Sequence, residues 1–155
     1  MTKFEDNQRD SWVAELVVKD YLERMGHTVL YAPERNQLKR SDRGYDLLLV
    51  RKSSPSLLVD VTRERHNRRW TCAEEYPYTE VIIKPVERFE GGRLLAPDLV
   101  YVVNTPYSHA AVIESDAESR EGWITKFRMN PGLGYECDQY FCPVDKVLEW
   151  IDLRP

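Results

Sequence analysis

Residues 45–62 read YDLLLVRKSSPSLLVDVT. Two apolar runs, 45–51 and 57–62, flank Lys52, Ser53, Ser54, Pro55 and Ser56. Serines around a proline break both helix and strand, so the chain reverses there and the runs pair as a β-hairpin. Each run carries one acid: Asp46 opens the first and Asp60 sits in the middle of the second. Carboxylates are rarely placed in apolar strands without a partner, because burying an unpaired charge is costly. Two of them about 4 Å apart repel by roughly 4 kcal/mol at an effective dielectric near 20. A divalent cation converts that repulsion into a binding site, and hard carboxylate oxygens suit Mg²⁺ or Mn²⁺.

Upstream of the hairpin, Val13, Leu16, Val17, Tyr21 and Leu22 recur at helical spacing. The spacing predicts a helix over 11–25, capped by Asp10 or Ser11 and ended by Gly26 in the left-handed conformation. Residues 27–32 read as a strand stopped by Pro33. Downstream, the β-branched segment 79–84 predicts a short strand. Segments 98–104 (DLVYVVN) and 109–114 (HAAVIE) predict a neighbouring strand pair, and 122–129 one more strand. Val144, Val147, Leu148 and Ile151 predict a closing helix over 143–151. The order is helix, a run of strands, helix. That is an α+β fold, a three-layer α/β/α arrangement with a central mixed sheet flanked by helices. It occupies one domain, residues 1–155, whose first ten residues are expected to fray.

Composition narrows the function classes. The chain has 155 residues, 42% of them hydrophobic, with four Trp, nine Tyr and four Phe, enough to build a core without staples. There is no apolar run of the length that spans a membrane and no N-terminal export signal, so a cytoplasmic protein is expected. Cys72, Cys137 and Cys142 are then reduced thiols, and their spacing does not suit a zinc site. His27, His66 and His109 are scattered. Phosphate-binding Gly-x4-Gly-Lys, Gly-x-Ser-x-Gly and His-Glu-x-x-His motifs are all missing.

The net charge of −4 argues against a protein that coats nucleic acid by bulk charge. Residues 34–69 nevertheless hold ten bases against five acids, a local +5 that leaves −9 to the rest. Such a segment is either a phosphate-facing surface or a solvated arginine-rich loop.

The leading helix, the strand, and a hairpin with an acid on each strand together resemble the PD-(D/E)xK superfamily of restriction-endonuclease-like nucleases. The matching residues are Glu15 in AELVVKDYLERMGHTVL, Asp46 in RGYDLLLV and Asp60 in LLVDVTRER. The resemblance implies metal-dependent hydrolysis of nucleic-acid phosphodiesters, with DNA the expected substrate. Asp46 and Asp60 would hold Mg²⁺ or Mn²⁺, with Glu15 as a direct or water-mediated ligand. The family's motif lysine would fall at position 62, where this chain has Thr62. Lys84, or Lys19 one turn after Glu15, would have to replace it, since strand alternation turns Arg63 to the other face.

Arg35, Lys39, Arg40 and Arg43 before Asp46, and Arg63, Arg65, Arg68 and Arg69 after Asp60, would grip the phosphate backbone. Trp70 and Tyr45 would stack on unpaired bases. A homodimer is expected by the same resemblance. The other reading of Thr62 is a non-catalytic module of the same fold that binds nucleic acid or a protein partner. The plainest reading of the residues makes Asp60 an ion-pair acid, Asp46 a turn cap and Glu15 a surface residue.

Overall fold

The computed structural model describes residues 3–32, 44–92, 94–130 and 134–155, of which 3–8 are described by backbone alone. Arg35, Lys39, Arg40 and Arg43 lie outside the described residues. Helix α1 (Lys3–Arg24) leads into β1 (Thr28–Tyr31), β2 (Leu47–Val50) and β3 (Leu57–Arg63). Then come β4 (Glu80–Pro85), β5 (Leu99–Val103), β6 (His109–Glu114) and the single-turn helix α2 (Ala117–Arg120). The chain finishes with β7 (Ile124–Asn130), β8 (Tyr135–Pro143) and β9 (Glu149–Asp152).

Helix α1 runs through the expected cap. Asp10 is helical, and its carboxylate instead accepts from Arg63 at 3.2 Å and from the Tyr107 hydroxyl at 3.2 Å. Gly26 does end the helical segment, at φ +92°, a backbone that side-chain-bearing residues rarely adopt.

The described strands form two sheets. The larger is six-stranded and mixed, in the order β1-β2-β3-β5-β6-β9. Strands β3 and β5 run parallel, and the other neighbours in it are antiparallel. The second sheet, β4-β8-β7, is antiparallel. Strand alternation gives the larger sheet two apolar faces. Val59, Val61, Tyr101 and Val103 face α1, where Ala14, Val18 and Leu22 meet them. Val100, Val102, Ala111 and Ile113 face the other way, onto Val81, Ile83 and Cys142 of the second sheet. A fully buried Val or Ile such as Val61 or Ile113 contributes roughly 1.5–3 kcal/mol. The fold is α+β around a central mixed sheet. Its layers are helix, sheet, sheet.

The closing helix expected over 143–151 is a correction. Residues Val144–Lys146 form a 3-10 turn, and the chain then pairs with β6 as β9, Ala110 against Ile151 and Ala111 against Trp150. The spacing of Val144, Val147, Leu148 and Ile151 suits a helix, but the open edge of β6 offers hydrogen bonds that a short helix would leave unused. Strand β8 escaped the sequence reading because its first half, Tyr-Glu-Cys-Asp, is polar and solvent-facing.

Candidate functional site

The hairpin of β2 and β3 is antiparallel, with Leu47 opposite Val59. Asp46 precedes Leu47 and Asp60 follows Val59, so the two acids stand side by side across the pair. Leu47 and Val59 point towards α1. Alternation therefore turns Asp46 and Asp60 towards the layer of the second sheet. Both are buried, each 4% exposed.

Backbone groups fix Asp46. Its N–H donates to the Val59 carbonyl, its carbonyl accepts from Ala32, and its Oδ2 accepts from the Val61 N–H, each at 2.9 Å. Gly44, two residues earlier, has no room for a side chain: a Cβ there would overlap the Leu95 carbonyl. That close backbone approach delivers the segment onto the sheet.

Asp60 receives its partner from the other sheet. Strand β4 changes register between Ile82 and Pro85, and Lys84 lies within that irregularity. Its Nζ meets Asp60 Oδ2 at 2.7 Å and Oδ1 at 2.9 Å. Burial pushes the Asp60 carboxyl above the usual carboxylate range. The Lys84 ammonium pulls it down, and the neighbouring Asp46 adds to the rise. Asp60, Lys84, Gly44, Arg88, Phe89 and Pro97 line one small crevice. Arg88 is a site residue that the sequence reading passed over. Its place on the turn after β4 gave no signal in the sequence.

The remaining expected residues are distributed as follows. Glu15 is fully buried on α1, the helix packed against the opposite face of β3. Lys19 pairs with Glu23 at 2.7 Å, one turn along α1, and its ammonium lies 5.5 Å from the centre of the Tyr31 ring. It does not reach Asp60, so the two candidate lysines are separated by the structure. Thr62 lies on the same face of β3 as Asp60, opposite Val102 in β5. Among the described residues, no three of His, Cys, Asp and Glu are grouped to hold a metal ion.

Arg63 turns inward, donating to Asp10 and to the Thr105 carbonyl at 3.0 Å and lying 4.7 Å from the centre of the Tyr107 ring. Arg65 and Arg69 are exposed, and Arg68 is half-buried. Trp70, expected to stack on bases, is 3% exposed and packs edge-on against Tyr76 and Trp150. Its ring is core, because the aromatic cluster there closes the space between the sheets. Tyr45 is half-buried.

Two oxygen donors side by side meet the requirement of Mg²⁺, which takes one or two carboxylates and fills its shell with water and phosphate. The residues present therefore fit a divalent metal at Asp46 and Asp60.

No protein-family profile matches the chain. No curated protein matches it. Among solved structures, it is similar to that of a bacterial homing endonuclease, at 14% identity and a TM-score of 0.43, over 83% of this chain and 87% of that one. A likeness so distant supports no conclusion about what this chain does. No described helix is long and apolar enough to cross a membrane.

Proposed function

We propose that this chain is a small nuclease of the PD-(D/E)xK kind that hydrolyses phosphodiester bonds of nucleic acid, DNA foremost, with Mg²⁺ or Mn²⁺. One observation carries the reading: Lys84, from a different sheet, brings its ammonium to within 2.7 Å of the Asp60 carboxylate, beside Asp46. The acid, acid and lysine that this chemistry needs are then all present, with Lys84 in place of the lysine missing at Thr62.

Asp46 and Asp60 would hold the metal, which would supply a lowered water pKa and offset phosphate charge. Asp46 is already aimed by the Val61 N–H and needs little reorganisation. Lys84 orients the attacking water and balances the charge that builds on the phosphate. Arg88 lines the same crevice and would grip a phosphate oxygen with its fork of donors. Arg65, Arg68 and Arg69 hold the strand outside the crevice. Glu15 remains on the helix side of β3, and Lys19 stays with Glu23.

The test is cleavage of supercoiled, linear, single-stranded and branched DNA and of RNA with Mg²⁺ or Mn²⁺. The parent should cut, Asp60→Asn should abolish cutting, and Lys84→Ala should lower it by roughly 10²- to 10³-fold. Cutting that survives in Asp60→Asn overturns the proposal. A second reading, a non-catalytic binding module of the same fold, has one observation in its favour: Lys84 engages both oxygens of Asp60. Under that reading no substrate is cut, while Asp60→Asn still destabilises the protein.

A further inference from the structure

The segment after β3 passes across the carboxyl end of β5 and is tied there. The Glu64 N–H donates to the Val103 carbonyl at 2.8 Å, and the Thr105 N–H to the Arg68 carbonyl at 2.9 Å. The Thr105 hydroxyl is within hydrogen-bonding distance of the His66 carbonyl, the Arg68 carbonyl and the Arg68 N–H. His66 adopts φ +62°, which turns the segment sharply. A merely solvated arginine-rich loop has no need of this anchoring.

The charges are sorted as well. Glu64, the acid of the segment, is drawn inward and accepts from the Tyr76 hydroxyl at 3.1 Å. Arg65 and Arg69 are exposed and Arg68 is half-buried. His66, Arg68, Arg69, Glu75 and Pro77 line an open groove beside them. Next to Pro77 stands Tyr78, 55% exposed, with the Arg68 guanidinium 4.5 Å from its ring centre and the Tyr76 ring in T-shaped contact with it. Trp70 lines the groove but is almost fully buried, and Tyr45 is half-buried, so the exposed aromatic ring is Tyr78, which stands at the groove's edge beside its wall residue Pro77. Glu75, held by Thr71 and Cys72, puts a carboxylate on the groove wall. There it repels a phosphate and suits the amino group of a base.

We infer that this groove binds an unpaired nucleotide of a single DNA strand, its base stacked on Tyr78 and Arg68 and its phosphates on Arg65 and Arg69. The inference rests on the nuclease reading above and names its substrate class: DNA with a single-stranded or splayed segment. Stacking needs an exposed base face, which a paired duplex does not supply.

The test is fluorescence anisotropy of the full chain in EDTA, with a short labelled DNA single strand, the blunt duplex of the same sequence and the matching RNA. The single DNA strand should bind tightest. Tyr78→Ala should weaken it by about 5- to 100-fold, leave the duplex unchanged and leave the salt slope unchanged, since no phosphate contact is lost. Tyr78→Phe should bind as the parent does. Equal binding by Tyr78→Ala overturns the inference, as does a preference for the duplex or the RNA, or a Tyr78→Phe variant as weak as Tyr78→Ala. Because EDTA removes catalysis, this result is independent of the nuclease test. Strand binding without cutting overturns the nuclease reading alone. Asp60-dependent cutting with a silent Tyr78→Ala overturns this inference alone.

Discussion

Replacing Lys84 with Met keeps the unbranched apolar stem of the side chain and removes its charged end. Asp60 is then left nearly buried beside Asp46 with no ammonium against it. Breaking a buried pair from one side costs about 3–5 kcal/mol, while an exposed pair is worth about 0–1. The Asp60 side chain is 6% exposed and that of Lys84 is 22%, which places this pair nearer the buried limit, at roughly 2–4 kcal/mol. For a chain of this length that lowers Tm by about 5–15 °C.

The pH dependence gives a sharper signature. Asp60 is held above its ordinary value in the fold, so the folded form takes up its proton more readily than the unfolded chain. The group's contribution to stability therefore grows as pH falls through the folded value, and levels off below 3.8. Without Lys84 the carboxyl rises further, so this window reaches to higher pH and the variant regains stability on mild acidification. The double variant Asp60→Asn/Lys84→Met leaves no buried charge at either position and should recover at least half of the loss. Thermal denaturation followed by circular dichroism from neutral to mildly acid pH reads all three. A Lys84→Met protein that melts with the parent, or whose deficit is constant with pH, refutes the reasoning.

Gly44→Ala should destabilise the fold by about 1–3 kcal/mol and reduce cleavage, because the new Cβ meets the Leu95 backbone and displaces Asp46. Gly91→Ala, whose Cβ meets only the Glu87 carbonyl at an ordinary distance, should be close to neutral in the same urea titration. Tyr76→Phe removes the donor to half-buried Glu64 and should cost about 1–3 kcal/mol in urea unfolding. Burial already raises the Glu64 carboxyl, so that loss should shrink as pH falls towards 4.5. Arg63→Ala should lower stability and leave the salt dependence of DNA binding unchanged, because its guanidinium serves Asp10, Thr105 and Tyr107. Arg65→Ala and Arg69→Ala should do the reverse, each reducing the salt slope by about 0.7–0.9.

Much of the architecture is legible in local pattern. Helix α1, the β2–β3 hairpin and the β5–β6 pair were expected from apolar spacing and turn residues; the strands lie within a few residues of their expected positions, while α1 ends as expected but begins eight residues earlier, through the segment expected to fray. These segments have a single period and clear punctuation, so neighbours in sequence decide them. Residues 143–151 do not: nine residues with apolar side chains at mixed spacing fit either period. They became β9 because the edge of β6 was unpaired without them. The polar half of β8 gave no signal of its own, since what holds it is its pairing with β7.

The same division runs through the site. The sequence by itself put Asp46 and Asp60 on the two strands of one hairpin, because a short turn forces those strands antiparallel; the register of Leu47 opposite Val59 then set both acids on one face. It offered Lys19 and Lys84 as equals, since each lies far from the acids along the chain. Only the packing of β4 across the larger sheet, with its register shift at Ile82–Pro85, brought Lys84 to Asp60 and left Lys19 with its helical neighbour Glu23. The arginines behaved likewise. Composition marked Arg63, Arg65, Arg68 and Arg69 as one cluster, and the tertiary contacts of Asp10, Thr105 and Tyr107 took Arg63 out of it. A local period fixes which face a residue is on, but which partner waits at that face is decided by contacts between distant segments.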